Sequence, residues 1–219
     1  NPQVLEGAVL AEIGIGDFDV AIQAADLLKS LGGEQSQLAE LALLAGEAQR
    51  EDYAAILAAF DQGRDVGGLA NSLVTAWAKV GEGRMSDALA EFDTLTQAKG
   101  LEAFGYYHKA LAMAMVGDFQ GADDILSGKV AGPIFMMRRG IMAHAQILSQ
   151  LERNADALAL LDKSFGTRPD PVIDALRRRL EAGEPVPFDT VATAREGIAG
   201  SRREAEDDQP QEPANRAGV

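Results

Sequence analysis

An all-α fold, an α-α superhelix (solenoid) of about five helical hairpins closed by a C-terminal capping helix, is predicted by three observations in this 219-residue chain. Ala21, Ala55, Ala88, Ala122 and Ala157 recur at intervals of 34, 33, 34 and 35 residues, the spacing of stacked two-helix units. Turn residues stand in phase with them: Gly16-Asp17-Phe18, Gly83-Arg84-Met85 and Gly117-Asp118-Phe119 each begin five residues before an alanine. Between the turns the apolar residues follow a helical period, aromatic content is only 5%, and no alternating pattern competes for a strand.

Each unit reads as a pair of amphipathic helices. Residues 2–35 place Ala21, Ile22, Ala25 and Leu28 on one face of a second helix, which Gly32-Gly33 ends. Residues 36–68 pair Leu41, Leu44 and Ala48 with Ala55, Ile56, Ala59 and Phe60. Their turn, Glu51-Asp52-Tyr53, lacks glycine, so this unit is irregular. Residues 69–101 pair Leu73, Ala76, Trp77 and Val80 with Ala88, Leu89, Phe92 and Leu95. In residues 102–132, Phe104, Tyr107, Ala110, Leu111 and Ala114 face Ala122, Ile125 and Leu126. Residues 133–166 open on Pro133 and set Ile141, Ala145 and Leu148 against Ala157, Leu158 and Leu161, completing an array over 2–170. Residues 171–200 follow a different pattern. Asp170 caps a helix beginning at Pro171, with Val172, Ala175, Leu176 and Leu180 expected to cover the exposed face of the fifth unit. Pro185 and Pro187 force an extended crossing, and Asp189 is expected to cap a short helix over Val191, Ala194 and Ile198. Residues 201–219 are polar, with almost nothing to bury, and read as a disordered tail.

On these residues the chain resembles the tetratricopeptide repeat (TPR) family over roughly residues 2–165. Gly16-Asp17-Phe18 with Ala21, Gly83-Arg84-Met85 with Ala88, and Gly117-Asp118-Phe119 with Ala122 match its turn and its small residue opening the second helix. Glu51-Asp52-Tyr53 and Arg153-Asn154-Ala155 are degenerate versions. The family's large aromatic early in the first helix is Leu73 or Ile141 in places, and its closing proline is mostly missing. Tyr107-His108-Lys109-Ala110-Leu111 is further similar to large proteobacterial members of unknown role. The resemblance implies a concave groove lined by the first helix of each pair.

Composition excludes several classes. A net charge of -14 and a pI near 4.5 disfavour nucleic acid, which requires a basic face. No apolar run approaches the roughly 18 residues of a membrane helix, so membrane insertion is not expected. Without cysteine there is no disulfide or thiolate site, and the compartment reads equally as periplasm or cytoplasm. Asn1 in first position reads as a processed product or a piece of something longer. With two histidines and none of the phosphate-loop, His-Glu-x-x-His or Gly-x-Ser-x-Gly motifs, no catalytic residue, cofactor or metal is expected.

The expected function is a protein-protein interaction scaffold that holds a peptide or protein in its groove. If Tyr107, Ala110, Leu111 and Ala114 pack inward, then His108, Lys109 and Ala112 face the groove. Asn71, Val74, Thr75 and Ala78 occupy the comparable face one unit earlier, and Arg139, Met142 and Gln146 one unit later. Lys109, Arg139 and the Asn71 amide then suit an acidic or carboxylate-ended partner. The alternative is a structural module that self-associates through the ends of the array.

Overall fold

The computed structural model describes residues 2–15, 18–31, 36–167 and 169–207. The Gly16-Asp17 turn, the Gly32-Gly33 break and tail residues 208–219 lie outside them. Among the described residues the chain is all-α, without a strand. Five successive pairs are formed by α1 (Pro2–Ile15) and α2 (Phe18–Ser30), α3 (Gln37–Gln49) and α4 (Tyr53–Asp61), α5 (Gly68–Gly81) and α6 (Met85–Thr96), α7 (Glu102–Met115) and α8 (Phe119–Leu126), and α9 (Arg138–Gln150) and α10 (Asn154–Phe165). They are followed by α11 (Pro171–Glu181) and α12 (Ala194–Asp207). From α1 to α11 each helix packs on its successor, and first helices of neighbouring pairs touch, α1 with α3, α5 with α7 and α7 with α9.

One turn chemistry joins the helices of four pairs. Two residues before α4, α6, α8 and α10 stands a residue with positive φ: Glu51 (57°), Gly83 (73°), Gly117 (89°) and Glu152 (60°). At Gly83 the backbone closes the preceding helix with paired bonds, Gly83 N–H to the Val80 carbonyl and Arg84 N–H to the Lys79 carbonyl, each 2.9 Å. This is the left-handed termination that glycine makes without steric penalty. The next residue serves the following helix: Asp118 accepts from Gly121 N–H at 2.9 Å, and Asp52 from Ala55 N–H at 3.1 Å. Glycine-aspartate thus stops one helix and starts its partner within two residues.

The small residues permit close crossing. Ala21, Ala88, Ala122 and Ala157 are fully buried. At Gly105, where α7 crosses α6, an added Cβ would stand 2.7 Å from the Thr96 amide nitrogen, so no larger residue fits. The second pair departs from the pattern expected of it. Ile56 is buried as expected, but Ala55 is only half-buried, and Tyr53 shares the interior of α4 with Ile56. Beside Ala55, Ala58 and Ala59 a polar cleft of about 1000 Å³ opens, and Arg64 reaches across it to pair with Glu40 at 2.9 Å and with Glu47.

The C-terminal region holds several corrections, the first that Val172 is exposed and Ile173 takes its place against the fifth pair. Asp170 does cap α11, accepting from Val172 and Ile173 N–H, and Ile173, Leu176 and Leu180 pack with Ala157 and Leu161 of α10. Asp189 caps nothing: its carboxylate accepts from Gln146 Nε2 at 2.6 Å. Helix α12 begins later, where Thr193 Oγ1 accepts from Glu196 N–H and the Glu196 carboxylate accepts from Ala192 N–H. Val191 therefore belongs to the extended strap before it. Helix α12 also runs to Asp207, so residues 201–207, expected to be disordered, are helical.

Candidate functional site

The groove-lining positions lie on α5, α7 and α9, and the structure brings three of the ten, Val74, Ala78 and Ala112, into one apolar face. That face is covered. Helix α12 lies on α5 and touches α3. Val74, Ala78 and Ala112 are fully buried in one apolar cluster with Trp77, Ala143, Val191, Ala194 and Ile198. The open strip is thus corrected at these positions: they lie inside the apolar cluster that the chain's own C-terminal helix joins.

Trp77 is the centre of that cluster. A Cβ on Gly197 would overlap its indole ring, so α12 rests backbone-first on the tryptophan. The ring stands edge-on to Phe92 with centroids 5.8 Å apart. Its Nε1–H donates to His108 Nδ1 at 2.9 Å, which leaves the imidazole proton on Nε2. His108, expected to face the groove, is 1% exposed and serves as an acceptor within the core. Burying an indole N–H without a partner is costly, and His108 removes that cost.

The polar candidates are engaged separately. Gln146 is buried, donates to Asp189 Oδ1, and accepts from Thr190 Oγ1 at 2.8 Å and from Asp189 N–H at 3.3 Å. Val186 N–H bonds Ser149 Oγ at 3.0 Å, and Gln150 Nε2 bonds the Val186 carbonyl at 2.7 Å, so α9 fastens the strap at successive turns. Arg139 Nη2 donates to the Thr190 carbonyl at 2.7 Å. Lys109 pairs with Asp93 at 2.5 Å. The Asn71 amide accepts from Val66 N–H and donates to Asp65, each at 2.8 Å, which shapes the loop before α5. Met142 packs partly buried toward Ala145 and Leu148, and Thr75 is half-buried. Lys109, Arg139 and Asn71 each hold a different part of the molecule, so they do not form the shared anion clamp that their spacing suggested.

A second buried polar centre joins α8, α9 and the turn before α10. Fully buried Asp123 accepts from His144 Nε2 at 2.8 Å and Arg153 Nη1 at 2.7 Å, with Lys129 Nζ 3.3 Å away. Burial raises the Asp123 carboxyl, but the bonds from His144 and Arg153 outweigh it and hold the group below its ordinary 3.8. No local pattern pairs His144 or Arg153 with this carboxylate, because Asp123 sits on the apolar face of a helix and its partners come from distant positions that only the fold brings together.

These features define a class: an all-α protein of packed helical hairpins whose C-terminal helix lies on the layer of first helices. No protein-family model, no curated protein and no solved structure matches the chain. Among the described residues, no helix is long and apolar enough to cross a membrane.

Proposed function

We propose that the chain is a TPR-like α-solenoid that acts as a protein-interaction scaffold, its concave face built to hold an amphipathic helix. The 34-residue recurrence, the Gly-Asp turns and the buried crossing alanines support the repeat reading. One observation carries the functional reading: α12, seated on α5 over Trp77 through Ala194, Gly197 and Ile198, is itself such a helix. A face that accepts a helix from the same chain has the shape and apolarity to accept one from a partner. The partner bears small residues where α12 has Ala194 and Gly197, and an aliphatic anchor where it has Ile198.

The test uses Trp77, the only tryptophan. In the full chain carrying Gly197→Leu the new side chain evicts α12, and Trp77 emission shifts to the red. A peptide of residues 190–207 with the native sequence then restores the blue emission, and a scrambled peptide does not. If the opened variant keeps its helicity yet ignores the native peptide, the face is not a helix-binding surface and the reading fails.

Exposed apolar side chains on the first pair favour a second reading. Val4 (68% exposed), Leu27 (50%) and Leu31 (55%) leave an uncovered end on the array, as an end-to-end association module would. A sedimentation coefficient independent of concentration removes this alternative.

A further inference from the structure

A cavity of about 430 Å³ is lined by residues of α7, of the segment leading into α9, of α9 itself and of the middle of α12. Its walls are Phe104, Tyr107 and Met136, its rim is Phe135 and Met137, and its one cationic side chain is Arg139. Phe135 is 85% exposed and Met137 70%, large apolar groups that water disfavours and that nothing among the described residues covers. The size and the lining, mostly apolar with a single charged anchor, are those of a small-molecule site.

Gly200 floors the cavity and gives an independent reason to regard it as built. Glycine inside a helix is less favourable than alanine, by about 1 kcal/mol. Gly197, one turn earlier, has a steric reason to be glycine because Trp77 lies against it. Gly200 has none: an added Cβ would meet only Arg139 Nη1, at 3.9 Å. What its missing side chain leaves is open volume.

Charge selects the occupant. Lys79 pairs with Glu91, Lys109 with Asp93, Arg138 with Asp170, and Arg153 with Asp123 and Asp156. Arg139 pairs with no carboxylate among the described residues. Its Nη2 is held by the Thr190 carbonyl, which directs the guanidinium along the cavity wall. In a chain of net charge -14, a guanidinium that no carboxylate among the described residues neutralises, beside aromatic and thioether surface, is complementary to an anion with an apolar body.

We propose that this cavity binds a small amphipathic carboxylate, a medium-chain fatty acid, with the chain between Phe104, Tyr107 and Met136 and the carboxylate on Arg139. The full-length protein, methyl-labelled at its six methionines, is titrated with sodium decanoate and, separately, with decanol. Decanoate is expected to shift the Met136 and Met137 methyl signals and to saturate below about 1 mM, in the range of weak small-ligand complexes. Arg139→Gln weakens decanoate at least tenfold and leaves decanol unchanged, which separates loss of charge from collapse of the pocket. Gly200→Leu fills the cavity and abolishes binding of both, with helicity retained. Should that variant lose helicity, the Arg139→Gln comparison decides alone. Decanol binding wild type as tightly as decanoate, or no methyl shift with decanoate, overturns the proposal. So does a concentration-dependent dimer that Phe135→Ala converts to monomer while decanoate has no effect; the cavity is then a contact between two copies.

Discussion

Glu51 and Glu152 occupy the left-handed position that Gly83 and Gly117 occupy in the neighbouring turns, and a Cβ there crowds the following carbonyl. Replacing Glu152 with glycine relieves that crowding against the greater unfolded-state freedom of glycine. The expected net gain in stability is about 0.5–1 kcal/mol, read from urea unfolding. A loss would show that the Glu152 side chain, not its backbone, decides the turn. At His144 the balance is electrostatic. Burial pushes the imidazole below its ordinary 6.5, and the bond to Asp123 offsets only part of that. Its Nδ1 is buried without a hydrogen-bond partner among the described residues, so a second proton would be unsatisfied there. The unfolded chain takes up that proton first, so stability is lost as pH falls through 6.5 toward the lower folded value. Asp123 adds a further loss as pH falls below 3.8. The urea midpoint should therefore drop from about pH 7.5 to about pH 5.5 in the wild type and much less in His144→Gln, which keeps a donor to Asp123 but does not titrate. Equal pH slopes in the two proteins would exclude His144 as the cause.

At the scale of the element, α12 carries two interior glycines with opposite consequences. Gly197→Ala drives a methyl into Trp77 and is expected to cost about 1–3 kcal/mol with a red shift of tryptophan emission. Gly200→Ala meets no obstacle and is expected to be neutral or stabilising by up to about 1 kcal/mol. Similar melting temperatures for the two variants would mean that α12 does not rest on the indole. The same logic accounts for α4. With Ile56 rather than Ala55 turned inward, α4 stands off from α3, and the gap holds Arg64 among Glu40 and Glu47. Burial opposes the Arg64 charge, but the two carboxylates outweigh it and keep the guanidinium firmly protonated.

Across the whole molecule, α12 converts a row of neighbours into a closed unit. In a simple array each pair contacts only the next, and opening can begin at any point. Here one apolar cluster runs from Leu44 through Trp77, Ala112 and Ala143 to Val191 and Ile198. The N-terminal cluster of Val9, Ala25, Leu28, Ala39 and Ala42 stands apart from it. Ile198→Asp in the full chain should therefore raise amide exchange throughout α5 and α7 and leave α1 and α2 as they were. Uniform acceleration from α1 to α11 would show that the molecule opens as a single unit.

The all-helical character was legible because its signals are local. A 3.6-residue period, a glycine-aspartate turn or the Asp170-Pro171 cap is contained in a few residues, and each acts within its own helix or turn. The failures are contacts between residues distant in sequence. Nothing near Ala55 announces that it stays half-exposed while its neighbour Ile56 is buried, since that depends on how α4 meets α3 and α5. Asp189 had the chemistry of a cap and went to Gln146, because α9 presents that amide where the strap passes. Helical spacing puts Val74, Ala78, His108 and Ala112 on the groove face but carries no information on what else lies there. The occupant was a polar segment with few apolar residues of its own. Its fit depends on Gly197 meeting Trp77, 120 positions earlier in the chain, and backbone-to-ring contact leaves no periodic mark in the sequence. Periodicity reports which face of a helix is apolar; only tertiary packing decides whether that face is covered by a partner or by the chain itself.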